Sequence, residues 1–453
     1  MTRAMVLGAV VLSQVALAQW APLKAHLDSA ETQNVDRRMA AEQKAKASSD
    51  YTAAWTSMLP SLTASGGWTH NQYSAEFTSS ALVNPNRNGG SPVIACTMDS
   101  ECPSGLVCGP NGLCGAKATI ILSDQLDAAL RVDLPLIDTG RWFRAMAASA
   151  SADGAAEREL STRDQVRRGV VSTFYSYVGA LSLLKAAKKS LSVAEEQARL
   201  TDIRYKAGAV TELETLRAAA EVARNKQIVA DMETAVVNTR QSLTTMSGLA
   251  PQSELEMPED DVRPEPGFEQ LAERVEELPG VRAADRDVAA SGRMATASKL
   301  ALVPMVSAQF TERFTNAGGF QGANVLYNLG VNLVWRLDVP TFANMSSQSH
   351  MEQLARLAAE KVRLMARDTI LSDYQRFNAA LVKIDAARAQ VTAAQRAAEV
   401  ARDRYNAGAA TQLDLILSEQ ALFAAEVNLI QARGELAQAR LVLRISAGLP
   451  LEG

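Results

Sequence analysis

The sequence predicts an α+β membrane protein, internally duplicated, in which a long α-helical coiled coil is joined to a few β-strands of bilayer-spanning character. Three observations predict it. A motif near residue 204 returns 200 residues later, a seven-residue apolar repeat follows each copy, and segments of period-two alternation precede each copy. The strands are too few to close a barrel alone, because a membrane barrel needs at least about eight. Several copies must combine.

The first stretch reads as an export address. Arg3 precedes an apolar run from Ala4 to Leu12, and Ala16-Leu17-Ala18 forms a small-residue cleavage pattern before Gln19. Residues 1–18 are therefore expected to be a signal peptide. An N-terminal core helix accounts less well for the single flanking charge and the Ala-x-Ala ending. Lys+Arg 46 against Asp+Glu 50 leaves a net charge of -4 with no concentrated basic block, which argues against a nucleic-acid partner. Past the signal no apolar run approaches the roughly 18 residues of a transmembrane helix, so any contact with a membrane must be made by strands.

The duplication is gapless. RYKAGAVTELETL from Arg204 returns as RYNAGAATQLDLI from Arg404, and Gly248-Leu249 returns as Gly448-Leu449. After the second copy Leu415, Leu422, Leu429, Leu436 and Leu443 fall every seven residues, each followed by a small partner at Ser418, Ala425, Ala432, Ala439 and Ser446. The same register in the first copy is Thr215, Val222, Val229, Val236 and Leu243. A heptad of this kind is a coiled-coil seam where helices approach closely. Within the second seam Gly434 is the one weak helix former.

A still longer helical run precedes each motif. From about Asn344 to Ala407 there is no proline, and at 1.5 Å per residue the run reaches roughly 95 Å. Gly154 and Gly169 interrupt the matching run of the first copy, so a bend is expected there. Gly208 and Gly408 supply the left-handed residue that ends a helix, and Thr211 and Thr411 can cap the next one. Each copy therefore reads as an antiparallel helical hairpin with its tip at Gly208 or Gly408.

The strands lie at the other ends of the hairpins. Val325, Tyr327, Leu329, Val331, Leu333, Trp335 and Leu337 share one face, against Asn328, Gly330, Asn332, Arg336 and Asp338 on the other. Ile120, Leu122, Leu126, Ala128, Leu130, Val132 and Leu134 form a second such face, with Asp124 as its exception. Weaker candidates at about Met58 to Tyr73 and Leu302 to Phe314 complete two β-hairpins. Trp68, Tyr73, Tyr327 and Trp335 sit near strand ends, where the aromatic girdles of a barrel are expected. A soluble sandwich with a buried face is the competing reading of the same alternation.

Two segments interrupt this plan. Cys96, Cys102, Cys108 and Cys114 fall at steps of six inside an insert at about 92–115. In an exported chain they read as two disulfides, with three connectivities open. A zinc site is the rival, but the Cys-x-x-Cys pairs of zinc ribbons are missing. The Pro- and acid-rich segment 251–279 separates the copies, and it reads either as a linker with a short helix packed outside the helical tube or as a flexible connector. The organisation is then a signal peptide (1–18), a first repeat (19–250), the linker (251–279) and a second repeat (280–453).

This order of elements resembles the TolC-like outer membrane factors, also called outer membrane efflux proteins, over essentially the whole mature chain. The residues that carry the resemblance are Arg204-Tyr205-x-x-Gly208 and Arg404-Tyr405-x-x-Gly408, each followed by Thr and Leu (Thr211, Leu213; Thr411, Leu413), with LRVDLPLIDTGR at 130–141 similar to the family's strand-to-helix junction. The resemblance implies a homotrimer in the outer membrane of a Gram-negative bacterium. Four strands from each protomer close one barrel, which a helical coiled-coil barrel continues through the periplasm. It also implies partners: outer-membrane lipid, a periplasmic adaptor (membrane fusion) protein and an inner-membrane pump, in drug efflux, metal efflux or type I secretion. Carried over, Arg204, Tyr205, Gly208, Thr211, Leu213, Arg404, Tyr405, Gly408, Thr411 and Leu413 become adaptor contacts at the tip. Turn formation and capping account for several of them without a partner. Asp414 and its counterpart Glu214 become a channel constriction where like charges would favour cations, or simply part of a solvated helix face. Leu417 stands where some members carry a second acid, so apolar contact is expected to help seal the gate.

No chemistry is expected. His26, His70 and His350 are far apart, and no phosphate loop, GxSxG elbow or HExxH occurs. The chain is read as no enzyme, with neither catalytic residues, cofactor nor metal. The alternative function of a different class is a periplasmic coiled-coil structural or adaptor protein without a pore, distinguished by release with the soluble periplasm.

Overall fold

A computed structural model describes residues 21–79, 94–258, 260–319 and 323–451. The expected signal peptide, residues 92 and 93 of the cysteine insert, and part of the 316–324 loop lie outside them. The chain forms two compact units, one of Met1–Ser48, Ala150–Ala289 and Gln353–Gly453, the other of Ser49–Ser149 and Ala290–Glu352, so each draws on both repeats. The helices in chain order are α1 (21–33), α2 (Val35–Thr56), α3 (Thr139–Lys206), α4 (Glu212–Ser247), α5 (Phe268–Ala272), α6 (Pro279–Lys299), α7 (Val339–Asn406) and α8 (Gln412–Ser446). The strands are β1 (Ser61–His70), β2 (Ala75–Thr78), β3 (Val107–Cys108), β4 (Cys114–Gly115), β5 (Lys117–Ile121), β6 (Asp124–Ile137), β7 (Met305–Thr315) and β8 (Val325–Val334).

In the first unit the heptad seam of the second copy is largely buried, with Leu422 and Leu429 half-buried, whereas in the first copy Leu243 is buried and Thr215, Val222, Val229 and Val236 are half-buried. Leu415, Ala425, Ala432, Leu436 and Leu443 of α8 are buried, and Ile370, Phe377, Ala380 and Ile384 of α7 pack with Ala432, Leu436 and Leu443 in one cluster. A second cluster joins Leu23 and Leu27 of α1 to Val166, Val170, Phe174 and Tyr177 of α3, Leu243 of α4 and Ile445 of α8. Truncating Leu436 or Leu443 to alanine would cost about 2–5 kcal/mol, because seams this close leave a cavity that cannot collapse. His26 is buried in α1 with Nδ1 2.9 Å from the Ser247 hydroxyl.

Helix α3 differs from expectation in two ways. It runs unbroken for 68 residues through Gly154 and Gly169. A Cβ at Gly169 would meet the Met246 side chain at 3.0 Å, and one at Gly154 would meet Arg286 and Asp287 at 3.3 Å. These glycines admit close neighbours rather than break the helix. The helix also contains one 18-residue stretch apolar enough, by composition, to cross a membrane. Its buried Val170, Val171, Phe174 and Tyr177 belong to the hairpin core.

The linker 251–267 is packed, not free. Asp260 lies between Arg388 of α7 and Arg433 of α8, and Arg440 of α8 meets Asp261 at 2.9 Å and Glu265 at 3.4 Å. Its acid-rich composition suits solvent equally well in sequence. What decides its place is the row of arginines on α7 and α8.

The second unit holds one antiparallel four-stranded sheet in the order β1-β6-β7-β8. Its register aligns Leu62, Val132, Phe310 and Leu329 across all four strands on one face. That face is open: Leu329 is 74% exposed and Tyr327 78%, and Leu62, Trp68, Leu126, Val331 and Leu333 are exposed with them. An apolar face of this extent is not kept in water by a soluble monomer. The sandwich reading fails on this exposure, because nothing among the described residues covers the face. The opposite face is polar, with Arg313 on Asp127 (2.7 Å) and Arg131 on Asp133 (2.8 Å). Strands β1 and β8 lie at the sheet edges, where unpaired backbone groups are a template for another chain.

Three details correct the strand reading. The segment expected to be continuous from Ile120 to Leu134 divides at Leu122-Ser123: Ile120 belongs to β5, which pairs with β2 in a separate two-stranded sheet. Asn71 bridges the division, its backbone N–H donating to Ser123 O (2.7 Å) and its side chain to Leu122 O (2.8 Å). The exceptional Asp124 ends the band and binds His70 across the strands at 2.9 Å. Strand β8 stops at Val334, and Trp335 instead donates Nε1–H to Leu302 O at 3.0 Å. Beyond β2 and β5 the insert is stapled by Cys96–Cys108 and Cys102–Cys114, with β3 and β4 paired between them.

Candidate functional site: the two hairpin tips

Both tips are built by the same backbone device. Gly208 and Gly408 have φ of 74° and 72°, in the left-handed region, and a Cβ at either would meet nothing within 4 Å. The glycine is needed for backbone conformation, not for space. At the first tip Gly208 N–H donates to Tyr205 O (2.8 Å) and Ala209 N–H to Arg204 O (2.9 Å). At the second, Gly408 N–H donates to Tyr405 O (3.1 Å) and Ala409 N–H to Arg404 O (2.7 Å). This is the paired 5→2 and 6→1 closure of a Schellman cap.

The tips then diverge. Thr411 caps α8 in a full capping box: its hydroxyl accepts from Asp414 N–H, and the Asp414 carboxylate accepts from both the Thr411 hydroxyl (2.7 Å) and its N–H (2.9 Å). The Thr411 hydroxyl, its N–H and the nearby charge of Arg404 hold the Asp414 carboxyl below the usual carboxylate range. Thr211 occupies the same position before α4 but makes no side-chain cap bond. Glu214, the counterpart of Asp414, instead has its backbone carbonyl accept from Gln412 Nε2 at 2.8 Å, which ties one tip to the other.

The two tyrosines of the repeated motif have different environments. Tyr405 is 7% exposed, packed on Ala401 and Leu415, with the Arg204 guanidinium 5.1 Å from its ring centroid. Arg204 also donates to Asn406 Oδ1 at 3.2 Å. Tyr205 is 43% exposed and free of such a cover. The difference follows from sequence: Thr201 and Thr215 stand where the second copy has Ala401 and Leu415. Leu213, Leu413 and Leu417 are exposed apolar residues of the tips, and Leu216 and Ile203 join them without having been anticipated. Gln412 was also missed; it is buried between the hairpins with Oε1 unpartnered among the described residues, as is Tyr405 Oη. No periodic signal marks Gln412, because its role depends on the other repeat.

The site offers caps, turns and exposed leucines.

Comparison with known proteins agrees with this architecture. A family profile described as outer membrane efflux protein matches residues 117–249 and 273–449. The chain is 26% identical over 300 residues to the pyoverdine export outer membrane protein OpmQ of Pseudomonas aeruginosa, covering 62% of this chain and 60% of that protein. It is 26% identical over 311 residues to the outer membrane efflux protein BepC of Brucella suis, covering 65% of this chain and 67% of that protein. The match thus spans about 60% of the length of the first of these relatives. In fold it is similar to the outer membrane protein VceC of Vibrio cholerae, with a TM-score of 0.74 at 16% identity over 95% of this chain and 97% of that one.

Proposed function

This chain belongs to the outer membrane efflux protein family, and on that premise we propose that it is the outer-membrane protomer of a tripartite efflux or type I secretion assembly, acting as a passive conduit. Its fold is that of the TolC-like channels and its location is the outer membrane. The observation that carries the proposal is the open apolar face of the four-stranded sheet between the edge strands β1 and β8. In the proposed homotrimer β8 of each protomer pairs with β1 of the next, the apolar face meets outer-membrane lipid and the polar face lines the lumen. Every backbone group in the bilayer is then satisfied.

The helical hairpins would continue the passage through the periplasm toward a periplasmic adaptor protein and an inner-membrane pump. The tip residues Tyr205, Leu213 and Leu413, exposed beside the closures at Gly208 and Gly408, are the proposed adaptor contacts. Arg204 and Tyr405, proposed with them, also join the two tips, the Arg204 guanidinium lying over the Tyr405 ring. Asp414, Glu214 and Leu417 are the proposed constriction, and the division into two repeats about the linker 251–279 belongs to the same reading. No catalytic step is proposed.

The test is fractionation and conductance. A heat-modifiable trimer in the outer-membrane fraction that conducts ions in planar bilayers is expected. A monomer stable in detergent-free buffer, or full release with the soluble periplasm, would overturn the proposal.

A further inference from the structure

The acidic linker is seated more deeply than a connector requires. The Met257 methyl lies between two mid-helix glycines, 3.8 Å from where a Cβ would stand on Gly179 of α3 and 3.6 Å from one on Gly434 of α8. Glycine inside a helix is unfavourable relative to alanine. Two such positions facing one methyl make a notch in which a Cβ would be in ordinary contact with the methyl and a side chain as large as leucine would displace it.

Buried charge holds the segment on the C-terminal side of the notch. The Asp260 side chain is 2% exposed, 2.5 Å from Arg388 Nη2 of α7 and 3.1 Å from Arg433 Nε of α8, the second an ion pair without hydrogen-bond geometry. Arg440 is buried over the Phe377 ring at 5.3 Å, donates to Asp261 at 2.9 Å and also donates to the Arg263 carbonyl. Glu265 accepts from Arg444 at 3.2 Å. On the first hairpin, Tyr177 of α3 donates its hydroxyl to Gln252 O at 2.9 Å. Removing one member of a buried pair leaves the other uncompensated, so these contacts resist loosening one at a time.

We propose that 251–267 is a strap, and that Met257 and Asp260 are positioning residues for the hairpin tips. The strap holds α3 of the first hairpin against α7 and α8 of the second, and so limits how far the two hairpins part. Gly179 precedes Gly208 by 29 residues and Gly434 follows Gly408 by 26, about 40 Å of helix at 1.5 Å per residue. A small rotation at the notch is therefore magnified at the tips. The inference rests on the channel reading and adds a residue-level control of its width.

The test uses the full-length protein with Met257→Ala and Asp260→Asn combined. Gly434→Leu serves as a second variant that displaces Met257 and leaves every charge in place. A glutamate-specific protease cutting after Glu254 or Glu256 reports release of the strap, and single-channel conductance in planar bilayers reports the tip. Both variants are expected to be cut at least fivefold faster and to conduct at least twofold more than wild type, with the oligomer intact on gels. Faster cutting with unchanged conductance would overturn the positioning role, since a merely structural strap loosens without moving the tips. Unchanged cutting in both variants would overturn the notch as its seat. A wild-type protein that never conducts would instead remove the channel reading beneath it.

Discussion

Leu329→Arg separates a lipid-covered sheet from a solvated one by a wide margin. Leu329 is the fifth residue of the ten in β8, is 74% exposed, and stands beside Phe310 in the row completed by Val132 and Leu62. If lipid covers that row, arginine near the middle of the strand costs about 2–4 kcal/mol per copy. At about 1.36 kcal/mol per tenfold this is a roughly 30- to 900-fold loss per protomer, and a trimer carries it about three times. If water covers the row, an exposed leucine exchanged for arginine changes stability by no more than about 0.5 kcal/mol. Asn328→Arg, one residue earlier on the polar face, is the control and should be nearly neutral. The assay is the yield of heat-modifiable oligomer in outer-membrane fractions, with its urea midpoint. The reasoning is refuted if Leu329→Arg assembles at wild-type yield and midpoint, or if Asn328→Arg loses as much.

Three further outcomes are expected. Gly408→Pro cannot keep the φ of 72° that closes the second tip, so cross-linking to the periplasmic adaptor should fall while the oligomer band persists; undiminished cross-linking contradicts the tip assignment. Asp414→Ala should shift the reversal potential under a salt gradient, and because the Asp414 carboxyl is held below its usual 3.8, the wild-type preference should survive acidification through that value and fade only below it. An identical reversal potential removes Asp414 from the constriction. Burial holds His26 below its ordinary 6.5, so the unfolded chain binds that proton more readily than the folded one. The stability kept by the neutral imidazole is complete above about pH 6.5 and declines as pH falls below it. The thermal midpoint should therefore drop between pH 7.5 and 5, with a shallower slope in His26→Gln; equal slopes would sink the assignment.

Periodicity made the architecture readable. The alternation from Val325 to Val334 states both faces of a strand at once, and the leucines from Leu415 to Leu443 state one face of a helix. A single glycine in each repeat sufficed to locate a tip. Where the reading went astray, the pattern was silent. Alternation continues across Leu122-Ser123, so it does not show that Ile120 pairs in a different sheet. The glycines of α3 look like breaks when considered alone and prove to be contact points once Met246 is in view. Identical motifs suggested equivalent tips, yet Tyr405 is buried and Tyr205 is not, because the deciding neighbours, Leu415 and Thr215, lie ten residues downstream of each tyrosine. The arginines that seat the linker are more than a hundred residues from it in sequence, and helical spacing says nothing about what such a row receives.

The bare rims of the sheet carry a kinetic consequence. In the proposed barrel the final backbone bonds of β1 and β8 are intermolecular, so no protomer can finish folding by itself. Completion should then follow a steep power of concentration, and dilution should strand half-built subunits with sticky margins at the moment when wrong pairing is easiest.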